Sequence, residues 1–339
     1  MSPIATYDPL GARPYYFSVD GLLHGPTISG IQRDGHRRVW DIEGVRSYLG
    51  KSPDGFRTCF GGIGAVGPGT ALEHDGEAVK LRPVQASGGS PEQLSVALPR
   101  AVEALLVDGR RTAVALSGGL DSALLVALLR AAGRDDIPVF TLATHLADYC
   151  ELAETRSVAA KLGVCELHVI EAESLVSELP AAIAAAEVPL FNLHPVSRWL
   201  LATALKREGF EVLLTGDGAD QIFAGSNPRN YLPIIGSMTR TAGLDLRSPF
   251  FDPAILHSAT APTPDKAALR NAASAWLPPE IIDRPKTPRL APWLDVSEHW
   301  NAGTIDPLAD LLDSKRPVPG ADAMATLWTT LGLLGRFMD

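Results

Sequence analysis

The chain has 339 residues, 46% apolar and 20% charged, with a formal net charge of −9; that length allows two packed cores in an ordinary soluble globular composition. The acidic balance, with no basic stripe, argues against a nucleic-acid partner, and no apolar run approaches the roughly 20 residues that a membrane span needs. No basic-then-apolar stretch opens the chain, and Cys59, Cys150 and Cys165 show neither paired nor zinc-binding spacing, which predicts a cytoplasmic location without a disulfide framework.

Residues 1–84 read as a small, mostly β region. Residues 14–19 are aromatic and extended, 45–49 form a short helix, and 71–81 make a hairpin that turns at Asp75 and Gly76. Residues 85–90 (QASGGS) are a linker of small residues. Beyond it, 91–339 alternate strands and helices. Ser90 caps a helix running toward Val107, with Pro99 as a kink or a later start. Strands at 112–116, 138–143, 166–170 and 211–214 are separated by helices at 121–132, 151–163, 174–186 and 195–208. Strands alternating with amphipathic helices predict an α/β, doubly wound parallel sheet.

Two loops carry the chemistry. Ser117-Gly118-Gly119-Leu120-Asp121-Ser122 lies between an apolar strand and a helix. Its glycines let backbone N–H groups close on an anion, and the helix N-terminus adds partial positive charge. Ser117 and Ser122 offer hydroxyl donors, and Asp121 makes sense beside phosphate as a ligand of Mg²⁺. No Gly-Lys-Ser/Thr closes the loop, so it is not a Walker motif. The second loop, Thr215-Gly216-Asp217-Gly218-Ala219-Asp220, also follows an apolar strand, at the edge where open α/β sheets bind ligands. Asp217 and Asp220 are spaced to face one centre, and Asp220 is the expected second Mg²⁺ ligand opposite Asp121.

The first loop resembles the pyrophosphate-binding loop of the ATP pyrophosphatases, whose fold is of the adenine nucleotide α-hydrolase-like type. Together, LSGGLDS and LTGDGADQIFAG resemble the synthetase domain of the asparagine synthetase family, which includes β-lactam synthetases and lasso-peptide cyclases. The likeness continues through Arg247-Ser248-Pro249-Phe250-Phe251-Asp252 and through Arg284-Pro285-Lys286-Thr287-Pro288. It implies ATP with Mg²⁺ as cofactors, and nucleotide contacts at Ala115, Ser117, Gly118, Gly119, Asp121, Ser122, Thr215 and Gly216. Adenine is expected against the strand near Leu142. Lys286 is implied as the lysine that contacts phosphate, where a flexible cation suits a departing pyrophosphate. Asp217 is the candidate proton acceptor from an attacking amine.

The N-terminal segments YDPLGARPYYF and FGGIGAVGPGTAL resemble the later half of the family's glutaminase domain, which uses an N-terminal cysteine. This chain begins Met1-Ser2 and Cys59 is internal, so the region is expected to be a truncated remnant without glutaminase activity. The stretch between Gly225 and Arg247 is shorter than the family's usual helical insertion. Asp217 stands where asparagine synthetases have Glu and β-lactam synthetases Tyr. The expected reaction joins a small-molecule or peptide carboxylate to an amine or ammonia, in specialised metabolism. Ammonia-dependent asparagine formation, peptide macrocyclisation and a non-catalytic partner protein stay open beside it. So does a homo-oligomer, or a partner chain supplying the missing half-domain.

Overall fold

The structure is a computed structural model that describes residues 8–34, 39–53, 55–74, 79–84, 93–146, 148–227, 231–259, 262–285 and 293–337. The expected turn at Asp75 and Gly76, the linker 85–90 with its Ser90 cap, and Lys286 lie outside the described residues.

Strands β1 (Tyr16–Ser18), β2 (His24–Gly25) and β3 (Ile63–Ala65) form a small antiparallel sheet, and β4 (Thr70–His74) pairs with β5 (Val79–Pro83) as a hairpin. Helices α1 (Ile28–Arg33) and α2 (Ile42–Leu49) lie between them. The second starts earlier than predicted because the Asp41 side chain accepts from the Gly44 amide at 2.8 Å and caps it.

The main sheet comprises β6 (Thr112–Ala115), β7 (Val139–Thr144), β8 (Leu167–Ala172), β9 (Val212–Leu214) and β10 (Asp245–Arg247), all parallel, in the order β10-β9-β6-β7-β8. Chain direction across the sheet therefore reverses between β6 and β9, the topological switch of a doubly wound fold. The four strands predicted at 112–116, 138–143, 166–170 and 211–214 all form, within one or two residues. The fifth, β10, is a three-residue strand, too short for its polar–apolar–polar pattern to announce it.

Helices α3 (Leu94–Ala104), α4 (Leu120–Ala131), α5 (Leu152–Lys161), α6 (Leu179–Ala186) and α7 (His194–Arg207) connect and cover these strands. The helix predicted from Ser174 begins only at Leu179, where Pro180 fits the first turn because no amide is needed there. Pro99 sits inside α3, which starts before it at Leu94 rather than later. Helix α4 buries every residue from Ser122 to Leu129, so it is the central helix of the core and holds its N-terminus in a fixed place. The chain continues through α8 (Ala219–Phe223), α9 (Leu232–Thr241), α10 (Pro253–Ser258), α11 (Ala267–Ala273), α12 (Pro279–Ile282), α13 (Ala302–Leu311) and α14 (Ala323–Leu334).

One apolar cluster joins α3, α4 and α9 to β6 and β9. A second contains Tyr16, Ile28, Val45, Phe60 and Ile63 of the N-terminal region together with Leu179, Ile183, Leu327 and Leu331 of the helical region. The N-terminal residues thus pack into a core they share with the rest of the chain. At this seam Gly236 of α9 lets the Ala12 backbone lie against the helix, since a Cβ there would fall 1.7 Å from the Ala12 carbonyl oxygen. The Arg240 guanidinium donates to the carbonyls of Pro14 and Pro26.

Candidate active site

The loops after β6 and β9 stand side by side at the switch point, where the divergent connections leave a crevice. Gly119 is the N-cap of α4 and supplies no side-chain acceptor to the first turn, so that end of a twelve-residue helix is available to an anion. The loop shapes itself. Ser117 N donates to Ser122 Oγ at 3.0 Å, the two hydroxyls lie 3.0 Å apart, and Gly119 N donates to Ser117 Oγ at 3.2 Å. The serines expected as phosphate donors therefore also hold the turn. Ala115 and Leu142 lie half-buried on neighbouring strands toward the same end of the sheet.

The second loop docks on the first through its backbone. A Cβ at Gly216 would lie 2.8 Å from the Asp121 carbonyl carbon and from Ser122 N, so no residue but glycine permits this approach unchanged. Thr215 N donates to Arg247 O at 3.0 Å, and Ser248 Oγ donates to Asp217 O at 2.7 Å. The Arg-Ser-Pro-Phe segment after β10 is thereby joined to the same centre.

Asp121 and Asp220, expected as Mg²⁺ ligands, meet on a cation that sequence reasoning missed. Lys266 Nζ lies 2.5 Å from Asp121 Oδ2 and 2.7 Å from Asp220 Oδ1. The lysine adopts a left-handed φ of 58° just before α11, and its side chain is 6% exposed. Burial pushes its pKa down, yet the two carboxylates outweigh burial and hold it above the ordinary lysine range. Nothing local in Thr-Pro-Asp-Lys marks this residue as buried. Arg284, from the segment quoted for the resemblance, reaches the first loop, with Nη1 3.4 Å from Gly118 O and Nη2 3.9 Å from Glu154.

Asp217 is not an open carboxylate. Its Oδ2 accepts from Arg198 Nη2 at 2.7 Å and from Thr215 Oγ1 at 2.7 Å. Arg198 lies in α7, and its side chain is 11% exposed. Burial opposes its charge, but Asp217, with a contribution from Tyr231, keeps its pKa raised. Among the described residues no group of three or more His, Cys, Asp or Glu side chains is placed to hold a metal. Two convergent carboxylates nevertheless suit Mg²⁺ delivered with a nucleotide, since that ion takes one or two protein carboxylates and completes its shell with phosphate and water. Two clefts, of about 490 and 520 Å³, lie elsewhere and share Asp8, Arg13 and Asp245; neither is lined by the first or second loop.

Both loops, the strands before them and the helix that links the first to the core fall in one stretch of chain. That stretch, residues 93–239, matches the family model described as Asparagine synthase. The match takes in less than half of the chain. The matched stretch holds Asp121, Arg198, Asp217 and Asp220, whereas Lys266 and Arg284 come from the chain beyond it. Curated relatives include amidase chyE of Penicillium rubens, 26% identical over 254 residues, covering 66% of this chain and 37% of that protein. Another is the carboxyethyl-arginine β-lactam-synthase of Streptomyces clavuligerus, 28% identical over 281 residues, covering 73% of this chain and 52% of that one. The chain thus spans between about a third and a half of these relatives' length. Among solved structures, an NMN synthetase from Francisella tularensis shares a loose likeness, with a TM-score of 0.37 at 14% identity over 74% of this chain and 94% of that one.

Proposed function

We propose that this chain is an ATP-dependent carbon–nitrogen ligase that activates a carboxylate as its acyl-adenylate and passes the acyl group to an amine or ammonia. The observation that carries this reading is the docking of two phosphate-side loops at the switch point, locked by Gly216 and joined by Lys266. In the first step a carboxylate oxygen bonds to the α phosphorus and the bond to pyrophosphate breaks. In the second the amine nitrogen bonds to the acyl carbon, AMP leaves, and the amine gives up a proton.

The start of α4, with Ser117 and Ser122, is built to hold phosphate. Lys266 sits where charge accumulates as pyrophosphate departs, and a preorganised cation there lowers the barrier without reorganisation. Mg²⁺, when bound at Asp121 and Asp220, would neutralise further phosphate charge. By the resemblance, Lys286 serves the same end. Cys59 is buried, and burial, with Asp41 adding to it, pushes its thiol far above the usual range; such a thiol is no hydrolytic nucleophile. The Streptomyces relative is by its name a β-lactam-synthase, which supports an organic amine as acceptor and a place in specialised metabolism.

The test is product analysis with purified chain, ATP, Mg²⁺ and a panel of carboxylic acids that includes L-aspartate, with ammonium, glutamine or organic amines. AMP and pyrophosphate that depend on the acid, and vanish in Asp121→Ala, are the expected result. Formation of ADP, or no acid-dependent turnover across the panel, would overturn the reading.

A further inference from the structure

The ligase reading leaves unused a buried polar cluster beside the second loop. Arg198 Nη2 is bound to Asp217, but Nη1 is buried and meets no hydrogen-bond partner among the described residues. Tyr231 acts on the guanidinium both through its charge and as a hydrogen-bonding neighbour, but no acceptor meets Nη1 itself at hydrogen-bond geometry among the described residues. Around it, the Tyr149 hydroxyl bonds His194 Nδ1 at 2.7 Å and Ser197 Oγ at 2.8 Å, and the His194 ring stacks on Tyr231 at 5.6 Å. Folded proteins rarely bury a charged donor without a partner, and the exceptions ask for a reason. Nη1 is also close to the chemistry, because Asp217 belongs to the loop that touches Asp121 and Ser122 through Gly216.

A guanidinium with one side pinned by a carboxylate presents the other in a fixed plane, the geometry that a second carboxylate matches. The pin itself is held, since Thr215 Oγ1 donates to the same Asp217 oxygen and Ser248 fixes the Asp217 carbonyl. We propose that Arg198 binds a carboxylate of the acyl substrate through Nη1, and that Asp217 is the positioning residue for that guanidinium rather than the proton acceptor of the reaction. This rests on the ligase reading for what is done with the acid, but not for the binding itself. The carboxylate is either the one to be activated or another on the same molecule, and the two make different demands on substrate.

The test compares wild type with Arg198→Gln, Arg198→Lys and Asp217→Asn, first by binding and then by turnover. Glutarate and butyrate serve as probes, read by the shift in thermal midpoint of the full chain. Stabilisation of wild type by glutarate, lost in Arg198→Gln, supports the proposal even if no AMP is formed. Equal effects of butyrate identify the reacting carboxylate; an effect of glutarate alone identifies a second one. In turnover, Arg198→Gln is expected to raise KM for the acid about 10- to 100-fold, the loss of one charge-assisted hydrogen bond, while Kd for ATP stays unchanged. Asp217→Asn is expected to raise KM with kcat within a few-fold of wild type, whereas loss of a proton acceptor would cut kcat by about 10²- to 10⁴-fold. Three outcomes overturn the proposal: no probe binding that depends on Arg198, a weakened Kd for ATP in Arg198→Gln, or a kcat collapse in Asp217→Asn. Arg198→Lys keeps the buried charge, so a folded Arg198→Lys with the same loss of acid binding separates recognition from misfolding.

Discussion

Lys266 shows how much one side chain does at this site. Without its ammonium, Asp121 and Asp220 face each other as like charges and lose the cation that both of them touch. Lys266→Met is therefore expected to cost about 2 kcal/mol of stability, less than a fully buried pair because Asp220 is partly solvated. A urea titration gives that number, and AMP formation should fall in parallel. Gly216→Ala tests the loop contact directly. With Asp121 and Ser122 backbone atoms 2.8 Å from the new methyl, one loop must shift, costing about 1–3 kcal/mol and weakening ATP binding measured by calorimetry. The glycine and both aspartates were legible in the sequence because they sit in loops next to apolar strands. Lys266 was not, since it reaches Asp121 across 145 positions from an unremarkable polar stretch.

Among the elements, α6 and α1 meet through one buried acid. Glu187, at the left-handed C-terminus of α6, accepts from the amides of Ile28 at 2.7 Å and Ser29 at 2.8 Å. Those are first-turn donors of α1, which has no other use for them within the helix. Glu187→Ala takes this acceptor from the buried Ile28 amide and the half-buried Ser29 amide and is expected to cost about 1–3 kcal/mol, with faster hydrogen exchange confined first to 28–33. The predicted helices and strands mostly form where periodicity and turn residues placed them. The misses follow local physics that pattern reading weighs poorly: Pro180 accommodated in a first turn, Asp41 starting α2 early, and β10 too short to show alternation. That last strand depends on pairing with β9 rather than on its own three residues.

The molecule as a whole is bound by the apolar cluster that the N-terminal region shares with α6 and α14. A chain cut to residues 91–339 would expose Leu179, Ile183, Leu327 and Leu331, so it is expected to be aggregation-prone and rapidly proteolysed, which limited digestion would show. Alkaline pH attacks the same core. Burial pushes Tyr16 up to about 12, with Glu187 adding to the effect. A folded-state pKa raised above the unfolded value contributes stability that is complete below the unfolded pKa, about 10 for tyrosine, and is lost as pH rises through the folded one. Lys266, also raised, acts in the same direction. The unfolding midpoint is expected to fall from about pH 10 upward, and Tyr16→Phe should flatten that slope in a pH series of thermal melts.

The α/β class, the parallel sheet and the two loops of the site were determined by the sequence itself, because each rests on short-range pattern: apolar runs, glycine turns and the helices that follow. The tertiary structure alone decided which loops face each other, since strand order and the reversal between β6 and β9 arise from long crossover connections. It also decided the partners of the charges. Arg198 and Asp217 are 19 positions apart and Glu187 and Ile28 are 159 apart, so neither pair leaves a local trace. Charged side chains read as solvent-facing until folding buries them, and only then does the need for a partner assign each one its place.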